Sequence, residues 1–175
     1  PAPATLTLNK GPVAATAGAV GTSSYIFSIL EDITVPVSTD SLGNSTANFD
    51  SIKIHEGTLI SSAFTFTSVN PNQKFILPNT GIDTSLMNVT VKSNTFATTG
   101  TQYSTQNNLF DINGDSKVYF LQEVEDERYE LFFGDGIFGK KLEEGNYITA
   151  DYIISNGDAA NGISRFTFAG KLSYI

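Results

Sequence analysis

Cysteine and tryptophan are absent from the 175 residues, histidine occurs once, at His55, and methionine once, at Met87. Without cysteine there is no disulfide, thiol nucleophile or Cys-rich zinc site, and one histidine cannot build a two-histidine metal site. Charge is sparse as well, at 16% of the chain, and the basic sign is the scarcer: 10 Lys and Arg stand against 18 Asp and Glu, a formal net charge of −8. Such a chain repels a phosphate backbone or an anionic bilayer, so neither nucleic acid nor membrane is expected as a partner. No apolar run approaches the roughly 18 residues of a membrane span, and no basic-plus-apolar leader precedes Ala2. A chain that opens at Pro1 and has its one methionine at Met87 is expected to be a piece of a longer protein.

What is abundant is neutral and polar. Thr, Ser and Asn together supply 51 residues, a composition suited to extended β-proteins rather than helical bundles. Thr5 to Leu8 alternates as a strand, then Gly11-Pro12 leads through small residues to Gly21, which reads as an extended connector. Residues 25–33 carry apolar side chains that would share a helical face, but the β-branched run that continues them favours strand. Further strand candidates cover residues 51–55, 59–68, 74–77, 87–91, 117–124, 128–133, 147–155 and 163–169. Turn chemistry at Pro71-Asn72, Pro78-Asn79-Thr80-Gly81, Asn113-Gly114, Glu125-Asp126-Glu127 and Asn156-Gly157-Asp158 separates them. No stretch of about ten residues reads as a capped helix between strands, which argues against parallel βαβ units. The expected fold is mainly β, with little helix and antiparallel hairpins in one or two small lobes.

The acids are concentrated: residues 111–151 carry 11 acids and 4 bases. That shift, with the Asn- and Thr-rich run over residues 98–108, places a soft expected boundary between a β-rich lobe with its N-terminal connector (1–108) and a β-hairpin lobe (109–175).

Gly134-Asp135-Gly136-Ile137-Phe138-Gly139 matches the G-x-G-x-x-G pattern of phosphate-binding loops and follows a strand-like run. A dinucleotide site requires a helix opening at that loop, yet Gly145-Asn146 interrupts and a new strand starts at Tyr147. The residues therefore read as a fold-defining turn, Phe133, Gly134, Asp135, Gly136 and Gly139, in which glycines permit positive φ and Phe133 and Phe138 pack as anchors on either side. No cofactor is expected. Asp111, Asn113 and Asp115 occupy positions 1, 3 and 5 of a calcium-loop pattern, but Ser116 replaces the glycine at position 6 and Gln122 the carboxylate at position 12. They are weak metal candidates, and an Asx-rich turn is favoured. His55 has no nucleophile motif beside it, and nothing singles out a catalytic pair among the carboxylates of residues 123–144. No catalytic residue is assigned.

The stretch from Tyr129 through Phe133-Gly134-Asp135-Gly136 and Gly139 to Gly145, then the strand from Tyr147 and the loop Asn156-Gly157-Asp158-Ala159-Ala160-Asn161-Gly162, resembles the baseplate J-like family of wedge proteins from contractile phage tails and related injection machines. Within it the wording is similar to the large wedge subunits of T-even-like phages. The usual turn proline of the family is replaced in Leu142-Glu143-Glu144. The resemblance implies a non-enzymatic structural subunit of the virion tail baseplate, assembled in the host cytoplasm, that joins neighbouring wedges into a ring around the hub and rearranges when the sheath contracts. It implies other wedge subunits and copies of the same chain as partners, with a homo-oligomer in the ring. On that reading Glu123, Glu125 and Glu127 are candidate interface residues, because charge complementarity sets register and encounter rate. The alternative is a β-sandwich adhesin or carbohydrate-binding module with Tyr103, Tyr119, Tyr147 and Tyr152 as its aromatic platform. A hydrolase using the acidic block ranks third.

Overall fold

The computed structural model describes residues 3–16, 24–70, 72–106 and 109–174. Strands dominate, short 3-10 turns are the only helical elements among these residues, and the strands form several small antiparallel sheets. The mainly β expectation is met. Two compact units form: residues 1–59 with 155–175, and residues 60–154, so the second is inserted in the chain of the first.

In the first unit, β1 (Thr5–Leu8) pairs with β4 (Ile33–Pro36) and with β16 (Leu172–Ser173). A second sheet has the order β15 (Phe166–Phe168), β2 (Gly11–Thr16), β3 (Ile26–Ile29), β7 (His55–Glu56). The two-residue strands β5 (Ser38–Thr39) and β6 (Ser45–Thr46) make a separate hairpin. Its turn is held by Asp40, whose Oδ1 accepts from the amides of Leu42 and Asn44 at 2.9 and 2.8 Å. Leu8, Val13 and Ile29 are buried as one apolar cluster, and Ala14, Phe27 and Ala160 as another. The run from Gly11, expected as a connector, is in fact a central strand as far as Thr16. Its small side chains fit between two neighbours that satisfy its backbone on both sides, which local sequence cannot show. Pro12 has no N–H to donate, and the pairing of β2 with β3 slips in register between Pro12 and Ala14. The remainder of the expected connector, residues 17–21, lies outside the described residues.

In the second unit, one sheet has the order β11 (Thr101–Tyr103), β10 (Ile82–Lys92), β14 (Tyr147–Ile154), β8 (Thr58–Thr65). The other has the order β12 (Tyr119–Val124), β13 (Arg128–Phe133), β9 (Phe75–Ile76). Alternation along β10 and β14 decides what is inside. Met87, Val89 and Val91 on one strand and Ile148, Ala150 and Tyr152 on the other are buried, and Val89 lies opposite Ala150, Val91 opposite Ile148. Phe75, Leu77, Tyr119 and Leu131 of the second sheet join the same core. Edge-to-face ring pairs Phe64–Phe75, Phe75–Phe133 and Tyr103–Phe133, at 5.6 to 5.8 Å between centroids, complete it.

The boundary expected at 108/109 falls inside this second unit. β10 and β14 lie on opposite sides of it in sequence and pair over Asn88–Lys92, so the rise in acid density marks a change of surface composition along one folded unit. The Asn- and Thr-rich run before it contains β11, which pairs with β10.

Candidate functional site

Five consecutive amides follow Asp135, and each is spent inside the protein. Gly136 N donates to Gly139 O at 3.0 Å, Ile137 N and Phe138 N to Asp135 Oδ1 at 2.8 and 2.9 Å, Gly139 N to Asn113 O at 3.0 Å, and Lys140 N to Ser116 O at 2.7 Å. Amides already bonded are not available to cradle a phosphate. The chain then forms a bridge between Lys141 and Gly134 and enters β14, and no helix opens at the loop.

The same bonds unite two motifs that are separate in sequence. The Asx-rich turn at Asn113 is self-contained: Asn113 Oδ1 accepts from Asp115 N at 2.9 Å and from Ser116 Oγ at 3.3 Å, and Asn113 N donates to Ser116 Oγ at 3.0 Å. Through Asn113 O and Ser116 O it then anchors Gly139 and Lys140. The approach is too close for side chains. A Cβ at Gly114 would overlap Gly136 O, and one at Gly134 would overlap the backbone of Gly139. Gly139 itself sits at φ +87° with Val118 Cγ2 only 2.7 Å from where its Cβ would be. Of the candidate cation ligands, Asn113 thus has its side-chain oxygen committed to the turn, and no group of three or more His, Asp or Glu side chains able to hold a metal occurs among the described residues.

Phe133 is half-buried and packs edge-on against Phe75 and Tyr103. Phe138, expected as the second anchor, is instead 57% exposed, with Ile137 72% exposed beside it. The amides of both residues are bonded to Asp135 Oδ1, and their side chains stay at the surface. The Asp135 carboxyl lies below its ordinary range because the amides of Phe138 and Ile137 donate to it.

The β12–β13 hairpin holds its register from Tyr119 opposite Phe133 to Val124 opposite Arg128 and ends in a tip over Glu125–Glu127. Asp126 and Glu127 both take the left-handed conformation, at φ 62° and 55°. Arg128 pairs with Asp126 at 3.2 Å, while Glu123, Glu125 and Glu127 are exposed and form no ion pair among the described residues. Tyr103, Tyr119 and Tyr152 are buried, so three of the four rings named for a carbohydrate platform are unavailable to a ligand. Tyr152 instead spends its hydroxyl on Ser62 Oγ and Asn79 Oδ1, at 2.8 and 2.6 Å.

Sequence reasoning missed a cleft of about 610 Å³ beside the glycine turn. It is lined by Phe66, Phe75 and Phe133 and by the charged side chains of Glu130, Glu144 and Lys141. Glu144 Oε2 accepts from Ser68 N and Ser68 Oγ at 2.5 and 2.6 Å, which lowers its carboxyl below the ordinary range. Ser68 and Glu144 are 76 positions apart, a separation no local pattern reports. One signal was present: Glu130 is an acid within the apolar run of β13, and it is buried.

Residues 59–157 match the family described as bacteriophage baseplate wedge protein gp6, third domain, and that span is the inserted second unit with a few flanking residues. The chain belongs to this family. It is a structural component of the phage tail baseplate, and wedge proteins of this kind interact with other baseplate components. No curated protein matches the chain. Within the gp6 domain the glycine turn, the acidic hairpin and the cleft all lie on the second unit, so the features singled out above are features of the family's own domain.

Proposed function

We propose that this chain joins neighbouring wedges into a ring around the tail hub and takes part in the rearrangement that accompanies sheath contraction. The partners are other wedge subunits and further copies of the chain, which forms a homo-oligomer in the ring, is assembled in the host cytoplasm and performs no turnover. The likeness to baseplate J-like proteins, and to the large wedge subunits of T-even-like phages, belongs to the same reading.

The observation that carries it is the coincidence of the gp6 match with a compact unit whose hairpin presents exposed acids. Glu123, Glu125 and Glu127 are exposed on the β12–β13 hairpin and its tip, and a basic surface on a neighbouring wedge protein supplies the countercharge. The glycine turn, Phe133 to Gly136 with Gly139, fixes the fold rather than binding a ligand, and Asp111, Asn113 and Asp115 serve as a structural turn.

The test replaces Glu123, Glu125 and Glu127 with glutamine together and follows wedge assembly by light-scattering mass with a purified neighbouring subunit. Slower, more salt-sensitive assembly is the expected result. Assembly at the unaltered rate and salt dependence refutes the role of the tip.

A further inference from the structure

The cleft beside the glycine turn combines an aromatic lining with an excess of negative charge. Phe132, 38% exposed, and the partly buried Phe66 line it, and aromatic rings attract cations. Three carboxylates, on Glu130, Asp135 and Glu144, line it against one ammonium, on Lys141. Two of the three are held ionised by amide or hydroxyl donors, as described above. The third is the most telling. Glu130 is only 5% exposed, and its counter-ion is Lys74, whose Nζ stands 3.4 Å away on a side chain that is 64% exposed. A desolvated carboxylate with so loose and solvated a partner gains from a second, better-placed cation, and a guanidinium can approach it with two parallel donors.

We propose that this cleft receives an extended segment of another baseplate subunit that carries an arginine or lysine between apolar residues. The cation lies against the lining rings and pairs with Glu130, and the apolar neighbours cover Phe132 and Leu142. Charge complementarity selects this occupant over an acidic or neutral segment. The proposal deepens the assembly reading and rests on it, adding a second contact distinct from the hairpin tip.

The probe is a short fluorescein-labelled peptide alternating leucine and arginine, titrated with the 175-residue chain and followed by fluorescence anisotropy. Peptides with glutamate or glutamine in place of arginine serve as comparisons. Saturable binding of the arginine peptide alone is expected, weakened about tenfold or more by Glu130→Gln, since hydrogen bonds to charged groups carry at least that factor. Should that buried substitution perturb folding, Glu144→Gln and Phe132→Ala lie at exposed positions, and each is expected to weaken binding about threefold while circular dichroism stays unchanged. Replacing Glu123, Glu125 and Glu127 with glutamine leaves this binding within about twofold.

Absence of binding, equal binding of the glutamate peptide, or equal weakening by the hairpin-tip substitutions overturns the proposal. So does self-association of the chain that Phe132→Ala abolishes, because a second copy then occupies the cleft. Wedge assembly that survives both exposed cleft substitutions and fails only with the tip substitutions also overturns it, and leaves the assembly reading standing.

Discussion

Replacing Gly134 with alanine tests whether close backbone approach holds the glycine turn together. Its φ is not in the left-handed region, so conformational preference is not the obstacle. Space is, because the new Cβ falls on the backbone of Gly139, which no rotamer change can relieve. Either the two segments separate or the turn rebuilds. Separation loses the bond from Gly136 N to Gly139 O and the bridge between Gly134 and Lys141, at about 1 kcal/mol each, on top of an overpacking cost of roughly 1–3 kcal/mol. The expected loss is about 3–5 kcal/mol, a large share of the roughly 5–15 kcal/mol that stabilises a domain. Gly145→Ala is the matched control. Gly145 is at φ +81° with nothing near its missing Cβ, so only conformational strain of about 1–2 kcal/mol applies. Urea unfolding followed by tyrosine emission suits the question, because tryptophan is absent and five of the seven tyrosines lie in the second unit. A Gly134→Ala variant no less stable than Gly145→Ala would refute the steric argument.

Leu131, 1% exposed in the second core, should cost about 2–5 kcal/mol when cut to alanine, read from the same urea transition. Tyr152→Phe removes a hydroxyl bonded to Ser62 and Asn79 and is expected to cost about 1–2 kcal/mol, with near-ultraviolet dichroism otherwise native. Asp135 has its carboxyl lowered from an ordinary value of 3.8, first by the Phe138 amide and then by that of Ile137. Its contribution is therefore complete above that ordinary value and fades as pH falls through the lower folded one. An Asp135→Asn variant should show a shallower loss of stability over that acid range than the unaltered chain, and an equal slope would refute the coupling. Glu127→Gly, at a position with φ 55°, should stabilise the hairpin by up to about 1 kcal/mol in thermal unfolding. Millimolar calcium should leave the unfolding midpoint unchanged, since Asn113 already spends its side-chain oxygen within its own turn.

Much of this molecule is written locally. Alternation marks β14 as a strand, and the turn residues at Glu125-Asp126-Glu127 encode a hairpin whose two strands, β12 and β13, are near in sequence. The scarcity of histidine, cysteine and basic residues narrowed the chemistry before any fold was known. The Phe133-Gly134-Asp135-Gly136 wording marked a turn because glycine and aspartate act over three or four residues, which is the range a reader of sequence commands.

Three things required the third dimension. β2 was hidden because small residues look alike in a connector and in a sheet flanked on both sides, and only the partners β3 and β15 distinguish them. The union of the Asn113 turn with the glycine turn depends on backbone atoms rather than on side-chain type, so it left no residue signature beyond Gly114, Gly134 and Gly139 themselves. The cleft, finally, is assembled from Ser68, Phe75, Glu130 and Glu144, residues set side by side by long-range strand pairing. Local sequence thus determined which residues extend and where the chain turns, because those preferences act within a few residues. Burial decided the seclusion of Glu130 and the loss of the tyrosine platform, since it depends on which distant strands pack together.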